Sequence, residues 1–169
     1  MDTIKFVIEE YSDEEFGYRF PVLNIHINGR NLIHLVSAIE NKCPLVEVEE
    51  DPWGYIGFEL SNFDRFRDEM LGKKSYPHSI LLICTCTIPE CNCIMADIVF
   101  EEKTVAWKNL ESPFLAGPTP TLWAESEESL ENPWVPLDYT GLGPFVFERE
   151  QYLAALDEIS KRILPYSYS

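Results

Sequence analysis

Four of the chain's five cysteines fall within one decapeptide, Cys84-Thr85-Cys86-Thr87-Ile88-Pro89-Glu90-Cys91-Asn92-Cys93. If Thr87 to Glu90 form a four-residue hairpin loop, Cys86 faces Cys91 and Cys84 faces Cys93. Side chains alternate along a strand, so all four sulfurs would then share one face. Opposed Cβ atoms lie about 4.5–5.5 Å apart, and same-face neighbours on one strand lie roughly 6.5 Å apart. Three chemistries are open to such a set. Tetrahedral zinc needs Zn–S bonds of about 2.3 Å, which the cross-strand pairs can approach and the along-strand pairs reach only through a bulge. Two cross-strand disulfides or a reactive thiol could also form, but the strand flanks are apolar and no Lys, Arg or His lies within the motif to lower a thiol pKa. The default is cysteine as a small buried hydrophobe in a sheet core. Zinc on Cys84, Cys86, Cys91 and Cys93 is the one cofactor the pattern suggests, and otherwise none is expected. Cys43, before Pro44, stands apart.

Little else in the chain carries chemistry by spacing. His26, His34 and His78 are not placed at His-x-x-x-His intervals, and no phosphate-binding glycine loop or nucleophile elbow is present. Each histidine reads as a surface or capping residue. The carboxylates run together at Glu47, Glu49, Glu50 and Asp51 and again at Glu125, Glu127, Glu128 and Glu131, as solvated faces do. General acid–base work instead needs a pair held in a cleft. Trp53, Trp123 and Trp134 sit in irregular stretches rich in acid. Aromatic anchors ringed by charge are typical of protein-binding hot spots. Trp53, Trp123, Trp134, Glu125, Glu127 and Glu128 are therefore the candidate partner-binding residues, with packing over the end of a sheet as the alternative.

Charge narrows the partner. Thirteen basic residues face 29 acidic ones, a formal −16. An acidic surface repels a phosphate backbone, whose affinity comes from Lys and Arg displacing counterions, and it is disfavoured at anionic membranes. Nucleic acid and membrane are thus excluded, whereas a basic protein partner would be attracted and steered. The first residues, Met1 to Glu10, lack a basic stretch followed by a long apolar run, and the odd cysteine count argues against a disulfide framework. A cytoplasmic setting is expected.

The elements that must position these residues are readable from periodicity. Ile4, Phe6 and Ile8 alternate as a half-buried strand, residues 11–17 read as a turn, and Leu23, Ile25 and Ile27 form a second strand. Asn28-Gly29 is a turn signal. Asn31 then caps a helix built on Leu32, Leu35, Val36 and Ile39. Residues 44–58 look irregular. Ser61 to Asp64 resembles a capping box opening a short helix that Gly72 ends. Residues 79–86, 91–100 and 104–107 make a meander. Residues 112–144 form a long loop with six prolines and several aromatics, with a short helix at 124–130. After Phe145-Val146-Phe147, a helix carries Tyr152, Leu156, Ile159 and Ile163 at i, i+4, i+7 and i+11, and Pro165 stops it. The expected fold is α+β over residues 1–169 as a single domain, with one mainly antiparallel sheet covered by two or three helices and the 112–144 loop packed on it.

Three blocks carry a resemblance. The first is Ile27-Asn28-Gly29-Arg30-Asn31-Leu32. The second is Leu81-Leu82-Ile83-Cys84-Thr85-Cys86 with Cys91, followed by Val105-Ala106-Trp107 and Pro113. The third runs from Tyr139-Thr140-Gly141-Leu142-Gly143-Pro144-Phe145-Val146-Phe147-Glu148-Arg149 to Tyr152 and Ala155-Leu156. With these blocks the chain resembles a family of bacterial proteins that has no assigned activity. Thr87 and Glu90 replace that family's hairpin glycines, and residues 115–132 form a longer stretch than its equivalent. The resemblance implies a shared fold and supplies no catalytic residues. Composition and motifs together favour a non-enzymatic binding protein with an acidic interaction surface, of the immunity or antitoxin kind. The alternative is a metal or redox module on the cysteine hairpin.

Overall fold

The structure is a computed structural model, and it describes residues 1–14, 17–40, 55–73, 78–84, 93–112 and 139–163. Strand β1 (Ile4–Asp13) pairs antiparallel with β2 (Tyr18–Ile27) over its whole length, from Ile4↔Ile27 to Asp13↔Tyr18. The first strand therefore continues through Tyr11–Asp13, where the sequence suggested a turn. Tyr11 and Phe20 explain the extension, because their rings pack 5.2 Å apart across the hairpin and a cross-strand aromatic pair stabilises the ladder.

The Asn28-Gly29 turn forms as expected. Both residues take positive φ, 53° and 80°, which is the two-residue geometry that Asn-Gly favours. It leads into β3 (Arg30–Asn31), paired with the end of β2. The Asn31 side chain then accepts the Ile33 N–H at 2.9 Å, capping α1 (Leu32–Glu40). Leu32, Ile33 and Val36 of this helix are buried.

The stretch read as irregular contains two short strands, β4 (Tyr55–Ile56) and β5 (Phe58–Glu59), divided by Gly57. A single turn of 3-10 helix, Leu60–Asn62, leads into α2 (Phe63–Met70). The capping box does not form: the α2 N-cap is Asn62 without a side-chain cap bond, and the Ser61 hydroxyl donates to Glu59 instead. Gly72, at φ 78°, ends the helix, with its N–H on the Glu69 carbonyl at 3.0 Å.

The meander is present as β6 (Ser79–Cys84), β7 (Cys93–Phe100) and β8 (Thr104–Glu111), joined at its edge by β9 (Phe145–Glu148). The chain then enters α3 (Arg149–Ile163), whose Tyr152, Leu156, Ile159 and Ile163 are buried as the spacing predicts.

The fold is α+β with antiparallel strands covered by helices, but the strands divide between two sheets rather than one. The first holds β1, β2, β3 and β5; the second runs β4-β6-β7-β8-β9. They meet at two corners. At one, Gly57 joins β4 to β5. A Cβ there would run into the Leu23 carbonyl group and stand 2.6 Å from Asn24 Oδ1, so only glycine lets the two backbones cross. At the other, Asp2 bridges to Phe147 in a parallel sense. Its N–H donates to the Val146 carbonyl at 2.9 Å, and its carboxylate accepts the Val146 N–H at 2.8 Å and the Asn28 amide at 2.9 Å. Sequence periodicity cannot register a corner made by single residues, so a single sheet is the natural expectation from sequence.

Between the sheets lies one apolar core. Phe6, Phe66, Tyr152, Trp107 and Phe147 form a chain of edge-on and tilted ring contacts with centroids 5.2–6.5 Å apart. Two polar groups inside it are satisfied. The Tyr152 hydroxyl donates to the Met70 carbonyl at 2.7 Å and accepts the Trp107 Nε1–H at 3.2 Å, tying α3 to α2 and β8. Burial pushes the Tyr152 phenol well above the ordinary tyrosine range, with the Trp107 bond opposing that shift in part. Glu69, fully buried, accepts the Ile80 N–H at 2.9 Å, beside the bulge at Leu81 where β6 slips one residue against β7.

Candidate interaction surface

The cysteine set is only partly in view. Cys84 ends β6 and Cys93 opens β7, where Cys93 is fully buried, while Cys86 and Cys91 lie outside the described residues. The expected pairing of Cys84 with Cys93 is not the one formed. The register sets Ile83 opposite Cys93 and Leu82 opposite Ile94, one residue away from a Cys84–Cys93 pair. The physical reason is the core. With no Asn-Gly turn to fix the hairpin, burial of Ile83 and Cys93 and the bulge at Leu81 set the register instead. Among the described residues, no group of three His, Cys, Asp or Glu side chains is placed to hold a metal ion. Trp53, Trp123, Trp134, Glu125, Glu127 and Glu128 all lie outside the described residues.

Two arrangements escaped sequence reasoning. The first is a carboxylate-backed histidine. His78 Nδ1 and Asp97 Oδ1 are in hydrogen-bond contact, and Asn109 Nδ2 donates to Asp97 Oδ2 at 2.9 Å. Asn109 sits at φ 56° inside the bulge that displaces β8 against β7 between Met95 and Asp97. Asn tolerates this left-handed geometry better than most residues. The bulge re-aims its amide onto a carboxylate from the neighbouring strand. Such a pair can orient an imidazole and pass a proton, but catalysis also needs a nucleophile or a third ligand, and no group of three His, Cys, Asp or Glu side chains among the described residues is placed to hold a metal ion there. Local sequence gave no signal, because His78, Asp97 and Asn109 come from three segments that only the bulged sheet brings together.

The second arrangement is the outer edge of β1. Backbone bonds fix its parity. The Thr3 carbonyl accepts the Asn28 N–H on the β2 side, whereas Asp2 and Ile4 turn their amides away from β2. Asp2 meets β9 as described above. The Ile4 N–H donates to Gln151 Oε1 at 3.2 Å, and its carbonyl accepts Gln151 Nε2 at 2.7 Å. A side-chain amide from α3 thus stands in for one residue of a neighbouring strand. By alternation Phe6, Ile8, Glu10 and Ser12 also present N–H and C=O to this edge. Past Ile4, no strand among the described residues pairs with it.

The cause is topological. β9 runs alongside the start of β1, but the chain leaves the sheet after Glu148 and rises into α3. The space that a longer β9 would fill remains as a groove of about 690 Å³, bounded by Lys5, Phe6 and Val7 on the strand and by Ala154, Ala155 and Arg162 on the helix. The two alanines keep the helix wall low. Lys5 joins none of the ion pairs among the described residues, whereas Arg162 is held by Glu158 at 2.9 Å. Further along the hairpin acid dominates, with Glu9 bonded to His26 at 2.9 Å and Glu10 to Arg19 at 3.2 Å. Edge strands with free amides are templates for another strand unless they are covered. Among the described residues, no helix is long and apolar enough to cross a membrane. No protein-family model, no curated protein and no solved structure matches the chain.

Proposed function

We propose that this chain is a non-enzymatic binding protein that takes an extended, basic segment of a protein partner as an added strand on β1. One observation carries the reading: the amide edge of β1 from Phe6 to Ser12 has no neighbouring strand among the described residues, and at Phe6 and Val7 it borders a groove walled by α3. Strand addition obtains affinity from main-chain hydrogen bonds and specificity from alternate side chains. On the inner face an added strand would lay apolar side chains beside Phe6 and the half-buried Ile8. Its basic side chains, on the opposite face, would meet Glu9, and the formal charge of −16 would speed the encounter. A basic toxin or nuclease held inactive by an immunity factor is a partner of this chemistry.

The test is a titration with a short peptide of alternating valine and lysine, followed by amide chemical shifts. Saturable binding that moves the Phe6, Ile8 and Glu10 amides, weakens with salt and is absent for a valine–glutamate peptide supports the reading. Binding with no locus on β1, or no saturable binding, overturns it.

A further inference from the structure

The edge of β1 also matches itself. We propose that, when no partner strand occupies it, β1 pairs antiparallel with β1 of a second copy of this chain about a two-fold axis through Val7. The proposal rests on the same reading of β1 as a docking edge.

Parity allows only certain two-fold registers, because the outward amides belong to even-numbered residues. A centre at Lys5 would set Lys5 against its own copy, and a centre at Glu9 would set Glu9 against itself; like charges directly opposite are destabilising. A centre at Phe6 needs the Ile4 amide, which Gln151 already holds. A centre at Ile8 places Phe6 across from Glu10. The centre at Val7 avoids the like-charge and Phe6–Glu10 pairings, and its two central hydrogen-bonded pairs form without Ile4, whose amide is met only by the outermost pair, with Glu10 of the second copy. Phe6 and Ile8 of the second copy exchange reciprocal N–H to O=C bonds. Val7 meets Val7, and Lys5 lies across from Glu9 of the second copy, twice by symmetry. The Lys5–Glu9 and Val7–Val7 positions are non-hydrogen-bonded pairs, where facing side chains come closest.

The groups needed are available. Lys5 is exposed and unpaired among the described ion pairs. Glu9 offers its second oxygen, since His26 engages Oε1. The groove leaves space beside Phe6 and Val7. Net repulsion between two copies at −16 each is screened beyond about 8 Å at physiological salt, so the facing pairs decide the register.

Sedimentation velocity of the intact protein over a range of concentrations at physiological salt tests this, on wild type, Lys5→Glu and the double swap Lys5→Glu/Glu9→Lys. A monomer–dimer equilibrium is expected for wild type. Its dissociation constant should rise about tenfold or more in Lys5→Glu, where two attractive pairs become repulsive, and return near the wild-type value in the double swap. Wild type that stays monomeric throughout, or a dimer indifferent to Lys5→Glu, overturns the proposal. Failure here with saturable valine–lysine binding leaves strand capture standing, while a dimer without peptide binding separates the two the other way.

Discussion

The meander and the β1–β2 hairpin are built from the same materials and end differently. In the meander, β6 lies between β4 and β7, β8 lies between β7 and β9, and β9 is met by Asp2. Among the described residues its inner strands thus have a partner on each side, although β4 reaches only Ile83 and Cys84 of β6. In the hairpin, β2 has neighbours on both sides, but β1 past Ile4 has one only on the β2 side among the described residues. Both regions alternate apolar and polar residues, so patterning does not separate them. What differs is where the chain goes next. A strand that continued from β9 would have closed the hairpin's edge, and α3 takes that chain away. An open edge can therefore follow from the course of a distant segment rather than from any feature of the strand itself.

The sharpest way to break the contrast is at the corner that holds the two regions together. Gly57→Ala should force the β2 backbone from β5 and cost more than about 3 kcal/mol, seen as a large fall in the urea midpoint. If the variant is near wild type, the two sheets do not meet as described.

Tyr152→Phe comes next. It leaves the Trp107 N–H and the Met70 carbonyl without their buried partner, at a cost of about 1–3 kcal/mol by chemical denaturation. The same residue predicts a pH effect. Its folded pKa is raised above the ordinary 10.0, so the folded state holds this proton more tightly than the unfolded chain does. The associated stability is complete below pH 10.0 and declines as pH rises above it. Stability curves of wild type and Tyr152→Phe should converge in strongly alkaline buffer. Curves that stay parallel would mean the phenol is not buried.

Asn109→Ala should cost about 1 kcal/mol, from the left-handed backbone and the lost bond to Asp97. Asn109→Gly should cost less, because glycine takes that backbone freely. Equal losses would place the whole effect in the side-chain bond. The smallest effect is expected from Arg162→Ala, which removes an exposed i, i+4 pair with Glu158 and should change stability by no more than about 0.5 kcal/mol. Because Arg162 borders the groove, any larger change in peptide affinity than in stability would sharpen the assignment of that wall.

Much of the fold was legible. Alternation found β1, β2 and the meander, and the i, i+4, i+7, i+11 apolar positions found α3. Asn31, Asn28-Gly29 and Gly72 marked a cap, a hairpin turn and a helix end for stereochemical reasons that act within a few residues. The candidate surface was far less legible. Lys5, Phe6, Val7 and Ile8 read simply as strand, and whether a strand is an edge depends on neighbours far away in sequence. His78, Asp97 and Asn109 likewise meet only through bulges.

By itself the sequence determined the elements that local sterics and burial periodicity dictate, together with a formal charge of −16. The tertiary structure alone decided that the strands form two sheets hinged at Gly57 and Asp2, that Ile83 rather than Cys84 stands opposite Cys93, and that β1 past Ile4 has no second neighbouring strand among the described residues. Each of those outcomes depends on long-range pairing, where register follows from the burial of whole faces and from single residues at corners, and no window of neighbouring residues contains that information.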